Sequence, residues 1–153
     1  MTEFVSATAD IRGDYRYSLT RVWDEALPTI TFVLLNPSTA DAQKLDQTMR
    51  RCVSFAKRQG FGGMVIVNLY AFRSTSPKVM KAAADPVGPE NDRVLAAVTG
   101  TVVAGWGNHA DPARVAQVVA LLPPLYALGI NKGGQPTHPL YVLDDAPLIE
   151  WMP

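Results

Sequence analysis

The segment Ile30-Thr31-Phe32-Val33-Leu34-Leu35 decides the fold, and Asn36-Pro37 follows it directly. A nearly continuous apolar run of this length is typical of a strand covered on both faces, as in a parallel sheet between two layers of helices. Proline removes a donor from the strand ladder, so we expect the strand to stop there.

Three further apolar runs follow along the chain, at 64–67, 101–104 and 125–130. Helices are predicted between the strands, at 47–59, 90–98 and 111–122. Their starts are marked by the capping residue Asp46, by Pro89 and by Asp111-Pro112. Strands that alternate with helices through short connections predict a parallel sheet with right-handed crossovers.

Two flanking segments complete the predicted sheet. Residues 15–23 alternate between polar and apolar side chains, which favours an edge or antiparallel strand, and residues 138–142 are predicted to add a short terminal strand. We therefore predict one α/β domain over residues 1–153. Its expected architecture is a three-layer sandwich with a central, mainly parallel sheet of four or five strands.

Composition narrows the classes of function. The chain has 14 basic and 14 acidic residues, whereas proteins that grip long nucleic acid usually carry a basic excess. A small-molecule or short-strand partner fits this balance better. One cysteine, Cys52, excludes an internal disulfide and a cysteine-rich metal site, and we interpret it as a small core residue. We expect a cytoplasmic protein without a signal peptide or membrane span.

Several catalytic and cofactor signatures are missing from the sequence. There is no Gly-x-Gly-x-x-Gly, no Gly-x-x-x-x-Gly-Lys-Ser/Thr and no Gly-x-Ser-x-Gly segment. The acidic residues and the two histidines show no metal-ligand spacing. We therefore expect no cofactor, no metal ion and no metal cluster.

Polar residues collect where the four central strands are predicted to end. These clusters are Asn36-Pro37-Ser38-Thr39, Asn68, Trp106-Gly107-Asn108-His109 and residues 132–138. The carboxyl ends of parallel strands share one edge of a sheet, and ligands bind beyond that edge. The sequence therefore predicts a site there.

Each cluster also has a plain structural interpretation. Asn36 could close a turn with its own backbone, and a buried Asn68 could bond backbone instead of reading the edge of a base. Trp106 between two glycines fits packing as well as a close approach to a ligand. These alternatives stay open.

The ionisable residues near the strand ends divide in the same way. His138, in a loop rich in glycine and proline, could donate to a developing negative charge or bind phosphate. His109 fits a surface position better. Asp46 fits a helix cap, and Asp41 is either a surface residue or one that orients water.

These motifs resemble a bacterial and phage family known as domain of unknown function 1643. The segments that carry the resemblance are 35–41, 68–73, 85–92, Trp106-Gly107 and 138–141. This resemblance covers most of the chain and implies no activity.

A remoter resemblance is to the uracil-DNA glycosylase superfamily, in the order of the strand-end motifs. It implies a glycosylase-like α/β fold in which Asn36-Pro37 positions the attacking water, Asn68 reads the base and His138-Pro139 stabilises the departing base. Trp106-Gly107 stands where that superfamily has a similar segment. Asn36 replaces a frequent aspartate, and a neutral amide can orient water but cannot deprotonate it.

Three functional hypotheses follow. The first is an N-glycosidase-like hydrolase that acts on a base, modified or not, in DNA or in a nucleotide. In it Asn36, Asp41 and His138 are catalytic, and the partner is a nucleobase, a nucleotide or a short nucleic acid. The substrate-binding residues would be Pro37, Ser38, Asn68, Tyr70, Phe72, Arg73, Trp106 and Lys132, with Tyr70 or Phe72 stacking on the ring and Arg73 and Lys132 holding phosphate. The second is a non-catalytic nucleotide- or nucleic-acid-binding module, or an accessory to modified-base metabolism. The third is a structural or interaction protein.

Overall fold

The strand formed by the deciding segment lies at the centre of the sheet. In the computed structural model, which describes residues 3–38 and 40–153, this strand, β3, spans Thr29–Leu34 and is buried after its first residue. It pairs in parallel with β4, Gly63–Asn68, on one side and with β5, Thr101–Ala104, on the other. Val33 lies opposite Val67 and Ala104. The apolar run is therefore covered on both faces, as expected.

The sheet has seven strands in the order β1-β2-β4-β3-β5-β6-β7. The remaining strands are β1 Ser6–Arg12, β2 Tyr15–Val22, β6 Leu125–Ala127 and β7 Ile149–Trp151. The inner four pair in parallel, and β1, β2 and β7 pair antiparallel. The α/β class is confirmed, whereas the predicted four or five mainly parallel strands are corrected to seven in a mixed sheet.

Two strand predictions differ from the structure for local reasons. Residues 15–22 do form an antiparallel strand, but β1 covers its outer side, so it is not an edge. The predicted terminal strand at 138–142 is wrong: Pro139–Tyr141 forms a short 3-10 helix. Pro139 suits a first helical position and His138 caps the turn through its ring, so this segment closes on itself instead of pairing.

Helices cover both faces of the sheet. They are α1 Gln47–Arg58, α2 Pro77–Ala82, α3 Asn91–Ala96 and α4 Pro112–Val119. Phe55 and the fully buried Cys52 of α1 pack with Phe32 on one face. On the other face Met80, Leu95 and Val118, from α2, α3 and α4, pack in the core that holds Val33 and Val67. The result is three layers.

An irregularity in β2 determines which side chains face α1. Ile11 pairs with Arg16 and Asp10 pairs with Ser18, so Tyr17 is an extra residue in the ladder. One extra residue reverses the faces of the side chains beyond it. Arg16 consequently contacts the α1 side, where it bonds the carbonyl of Ala40, whereas Tyr17 lies against Gly88 on the far side.

The order of connections leaves a crevice at the carboxyl edge of the sheet. The chain leaves β3 toward β4 on one side, and it leaves β5 toward β6 on the other. Where neighbouring parallel strands send their chains apart, the loops separate and a ligand can enter. None of the helices in the described ranges has the length and apolar run needed to cross a bilayer.

Candidate functional site

A cavity of about 420 Å³ occupies this crevice, between the loops that follow β3 and β5. Its volume is in the range of sites for small molecules. Its polar and aromatic lining includes Arg16, Asn36, Ser38, Asp46, Thr48, Ser74, Thr75, Trp106, Asn108, His109, Asn131, His138 and Tyr141. The predicted convergence of strand-end residues therefore holds for the loops after β3, β5 and β6.

Asn36 lies on the cavity wall with its amide held in one orientation. Its Nδ2 donates to the carbonyl oxygens of Ser74 at 2.8 Å, Pro37 at 3.1 Å and Phe72 at 3.3 Å. Three acceptors around one atom identify it as nitrogen. No described residue donates to Oδ1, which remains an acceptor, so Asn36 both shapes the turn and lines the cavity.

His138 is held so that one ring nitrogen is defined as a donor. Its Nδ1 accepts the backbone N–H of Leu140 at 3.2 Å. Burial lowers the pKa of His138, and the opposing effect of the Asp46 carboxylate is weaker. The ring is therefore neutral at pH 7, with its proton on Nε2, and no described residue accepts that proton.

Asp46 combines a capping role with a place in the cavity. Its Oδ1 accepts the Met49 N–H at 2.9 Å and so begins α1, as predicted. Its Oδ2 accepts the Ser38 hydroxyl at 2.9 Å. Each carboxylate oxygen can accept a further hydrogen bond. The cavity thus contains one oriented carboxylate that still has capacity for water or ligand.

Arg16 supplies a buried cation at the same cavity. It is 1% exposed, and its Nη1 donates to the carbonyl of Ala40 at 2.9 Å. No described residue accepts a hydrogen bond from its Nε. Burial lowers its pKa to about 10, so the guanidinium stays charged at neutral pH.

Trp106 is held mainly by packing, although it borders the cavity. Its indole nitrogen donates to Gln135 Oε1 at 2.8 Å, and its ring meets Trp151 edge-on at 5.2 Å. The next residue, Gly107, has φ +75°, a conformation that side chains rarely adopt. The Trp-Gly segment therefore gives the wall a fixed shape.

Asn68 does not line the cavity but lies beside it. Asn68 is 1% exposed, and no described residue makes a hydrogen bond with its Nδ2 or Oδ1. In the parallel ladder it pairs with Leu34, a cavity residue, and β4 lies between β3 and the β2 strand that carries Arg16. A buried amide without partners is unusual in a folded protein. The sequence suggested either an amide bonded to backbone or an amide that reads the edge of a base. Neither interpretation included a buried amide that lies beside the cavity without a hydrogen-bond partner among the described residues.

Five other predicted site residues lie outside the lining of both cavities. Tyr70 is buried and accepts the Asp111 N–H, and Phe72 packs edge-on against Tyr15. Asp41 accepts the backbone N–H groups of two nearby residues, which lowers its pKa, and Lys132 is exposed. Pro37 contributes a buried turn and a carbonyl acceptor.

Arg73 lines a second, more open cavity of about 440 Å³. This cavity is bordered by Gly13 and Asp14, and it shares Ser38, Ser74 and Thr75 with the first one. A ligand longer than a base could reach from one cavity into the other across these shared residues.

Sequence analysis missed Arg16, the cavity role of Asp46 and the amide of Asn131, and it placed Asn108 in a strand-end cluster without giving it a role. Asn131 follows a predicted strand and carried a usable signal. Arg16 had none, because its position depends on the irregular pairing of β2. Within residues 3–38 and 40–153, no group of three His, Cys, Asp or Glu side chains is arranged to hold a metal ion.

Comparison with known proteins places the chain in a family without placing it in a class of activity. No curated protein matches it. A crystal structure of L-tryptophan dehydrogenase from Nostoc punctiforme is similar at a TM-score of 0.39 and 12% identity. The match covers 82% of this chain and 37% of that one, so the chain spans little more than a third of that protein. Residues 16–140 match the family described as protein of unknown function (DUF1643), and the chain belongs to that family.

Proposed function

We propose that the chain recognises a nucleobase or nucleotide in the first cavity and hydrolyses its N-glycosidic bond. The observation that carries the proposal is the neutral His138, whose Nε2–H is a donor in a cavity that also contains the Asp46 carboxylate. A neutral donor can stabilise negative charge that develops on a departing base. The remote resemblance of Asn36-Pro37, Asn68 and His138-Pro139 to uracil-DNA glycosylase motifs supports the same fold and chemistry.

The reaction assigns a role to each group. A water oxygen forms a bond to the anomeric carbon while the carbon–nitrogen bond breaks, and the electron pair stays on the base nitrogen. Asn36 Oδ1 accepts a hydrogen bond from one O–H group of the water and so orients it, and that hydrogen stays on the new sugar hydroxyl. Asp46 takes the proton of the other O–H group and then passes it to the base, while His138 donates a hydrogen bond to the base. Asp46 thus supplies the proton acceptor that Asn36 cannot be.

Recognition of the base depends on the wall beside Leu34. Asn68 lies behind Leu34 and outside the cavity lining, so this wall must open on binding for its amide to meet the ligand. The amide then offers one donor and one acceptor, as the edge of a base requires. Arg73 in the adjoining cavity is placed to hold a phosphate.

The test is release of free base, measured by chromatography. Substrates are single-stranded DNA, duplex DNA and nucleotides with normal and modified bases. We expect release from at least one of these, and a loss of about 10²-fold or more in His138→Ala. Absence of release from the whole panel would end the hydrolase proposal.

A second function, binding without turnover, is favoured by one observation. Asn36, the residue that orients water, is neutral and cannot remove a proton from it. Its Nδ2 already donates to three carbonyls, which fits a residue that shapes the binding site. Under this alternative, nucleotides raise the melting temperature and His138→Ala removes that shift, while no base is released.

A further inference from the structure

The guanidinium of Arg16 is a buried charge without a counter-ion. No carboxylate oxygen of the described residues lies within 4.0 Å of a nitrogen of Arg16, the limit for an ion pair. The carboxylate of Asp46 influences the guanidinium only from a longer distance. A guanidinium has five N–H donors, and among the described residues the carbonyl of Ala40 is the one that accepts from it. Buried charges in proteins are ordinarily paired.

The surroundings of Arg16 are also net positive. The charged groups that influence it are Arg21, Arg73, Asp41 and Asp46. With Arg16 itself, three cations face two carboxylates. Both carboxylates are engaged by hydrogen bonds from protein groups, Asp41 by backbone N–H and Asp46 by Met49 and Ser38. Together with Arg16, these surroundings therefore carry one net positive charge.

Arg21 provides an internal comparison on the same strand. It is also 1% exposed and has no carboxylate partner, but its donors reach the carbonyls of Thr8, Thr20 and Asp41. Arg21 does not line the cavity, whereas Arg16 does. Among the buried arginines of the described residues, Arg16 is the one with a buried nitrogen, Nε, that lacks a hydrogen-bond partner, and it is the one at the cavity.

We propose that Arg16 determines specificity by binding an oxyanion of the ligand, so that the cavity selects anionic nucleobase compounds. The oxyanion is either the phosphate of a nucleotide or a carboxylate carried on the base. Planar guanidinium groups match both geometrically. This inference rests on the proposed nucleobase ligand but not on hydrolysis.

The test is equilibrium binding, by calorimetry, of two matched pairs of ligands. One pair is uridine 5′-monophosphate and uridine, and the other is orotate and uracil. We expect the wild-type protein to bind the anionic member of at least one pair about tenfold or more tightly, the usual size of a charge-assisted contact. The pair that shows the preference identifies the source of the oxyanion. Inorganic phosphate alone is the third probe, and we expect it to compete with the monophosphate.

Three variants make the result specific to Arg16. Arg16→Met should reduce the preference to about twofold or less, and Arg16→Lys should retain part of it, since it keeps charge but loses the planar fork. Arg114→Met, which removes a buried arginine far from the cavity, should keep it in full. Melting curves confirm that each variant is folded.

Equal affinity within both pairs, no binding of any probe, or a full preference in Arg16→Met would overturn the proposal. The base-release assay separates the two claims. A preference that depends on Arg16 without base release leaves the inference intact and ends the hydrolase proposal. If base is released from neutral nucleosides at a rate that Arg16→Met does not change, the hydrolase proposal stands and the inference about Arg16 is overturned.

Discussion

The two faces of the sheet each contain a buried arginine and a capping aspartate, but the groups are used differently. On the α4 side Arg114 donates to the Leu69 carbonyl at 2.8 Å, to Gln117 at 3.0 Å and to Asp92 at 2.8 Å. On the α1 side Arg16 makes one such bond and leaves Nε without a partner. The hydrogen bonds of Arg114 connect elements of the fold. Arg16 instead keeps N–H donors that a ligand in the cavity could use.

The capping aspartates show the same contrast. Asp111 accepts the N–H of Ala113 and begins α4 without bordering the cavity. Asp46 begins α1 and also accepts the Ser38 hydroxyl inside the cavity. Polar groups on the far face thus have structural roles, and their counterparts near the cavity have capacity left for a ligand.

The largest expected effect is on the rate of base release when each of the two capping aspartates is replaced. Asp46→Asn keeps an acceptor for the helix but loses the proton acceptor, so we expect base release to fall by about 10²- to 10⁴-fold. Asp111→Asn is the matched control and should leave the rate unchanged. Single-turnover rates measure both. Equal rates for the two variants would show that the cavity carboxylate does not take part.

The next effect is on the stability of the two arginine variants. Arg114→Met loses three hydrogen bonds, and we expect the free energy of unfolding to fall by about 2 kcal/mol. Arg16→Met removes an unpaired buried charge, so we expect no loss or a gain of about 1 kcal/mol. Urea unfolding measures both values. A loss in Arg16→Met as large as that in Arg114→Met would mean that Arg16 has a structural role instead.

The two buried asparagines extend the comparison at a smaller scale. Asn91 Nδ2 donates to the carbonyls of Asn68 and Leu69, so Asn91→Leu should cost about 1 to 2 kcal/mol. The unpartnered amide of Asn68 predicts that Asn68→Leu changes stability by less than about 1 kcal/mol while it weakens ligand binding. Urea unfolding and calorimetry together test this. The interpretation of Asn68 fails if its substitution destabilises the fold and leaves affinity intact.

The smallest expected effect is a pH dependence from His138. Burial depresses its pKa in the folded state, so the unfolded chain binds the proton more readily. Stability is therefore complete above the unfolded-state pKa of about 6.5 and decreases as the pH falls toward the folded-state pKa. His138→Gln should lose less stability than the wild type between pH 7.5 and pH 5. Parallel losses in both proteins would contradict the assignment of a half-buried neutral ring.

Much of the sheet could be predicted because its inner strands are short apolar runs between turn residues. β5 was predicted with its observed bounds, 101–104, and α1 within one residue. β1 was missed because Ser6–Arg12 is polar and partly exposed, and β7 because it has only three residues. Pairing with a neighbour, not local composition, makes these two segments strands.

The site was predictable only where chain order alone fixes position. Asn36 and Ser38 lie within four residues of the end of β3, and His138 precedes Pro139 in the loop region after β6, so topology brings them to one edge. Arg16 enters the cavity because Tyr17 is an extra residue in β2, and Asp46 because the loop before α1 folds back toward Ser38. Both depend on contacts between distant segments, which periodicity in a single sequence does not report.

The central claim is that His138 is a neutral donor to a nucleobase, and the imidazole ¹⁵N resonances measure this directly. At pH 7 the account predicts a His138 signal with the proton on Nε2 and an acceptor at Nδ1. The Nε2 resonance should shift when nucleotide is added. The shift should be smaller in Asp46→Asn and in Arg16→Met, because the account places those two groups on the same ligand. A protonated ring, a proton on Nδ1, or a His138 signal that no nucleobase compound perturbs would contradict the account.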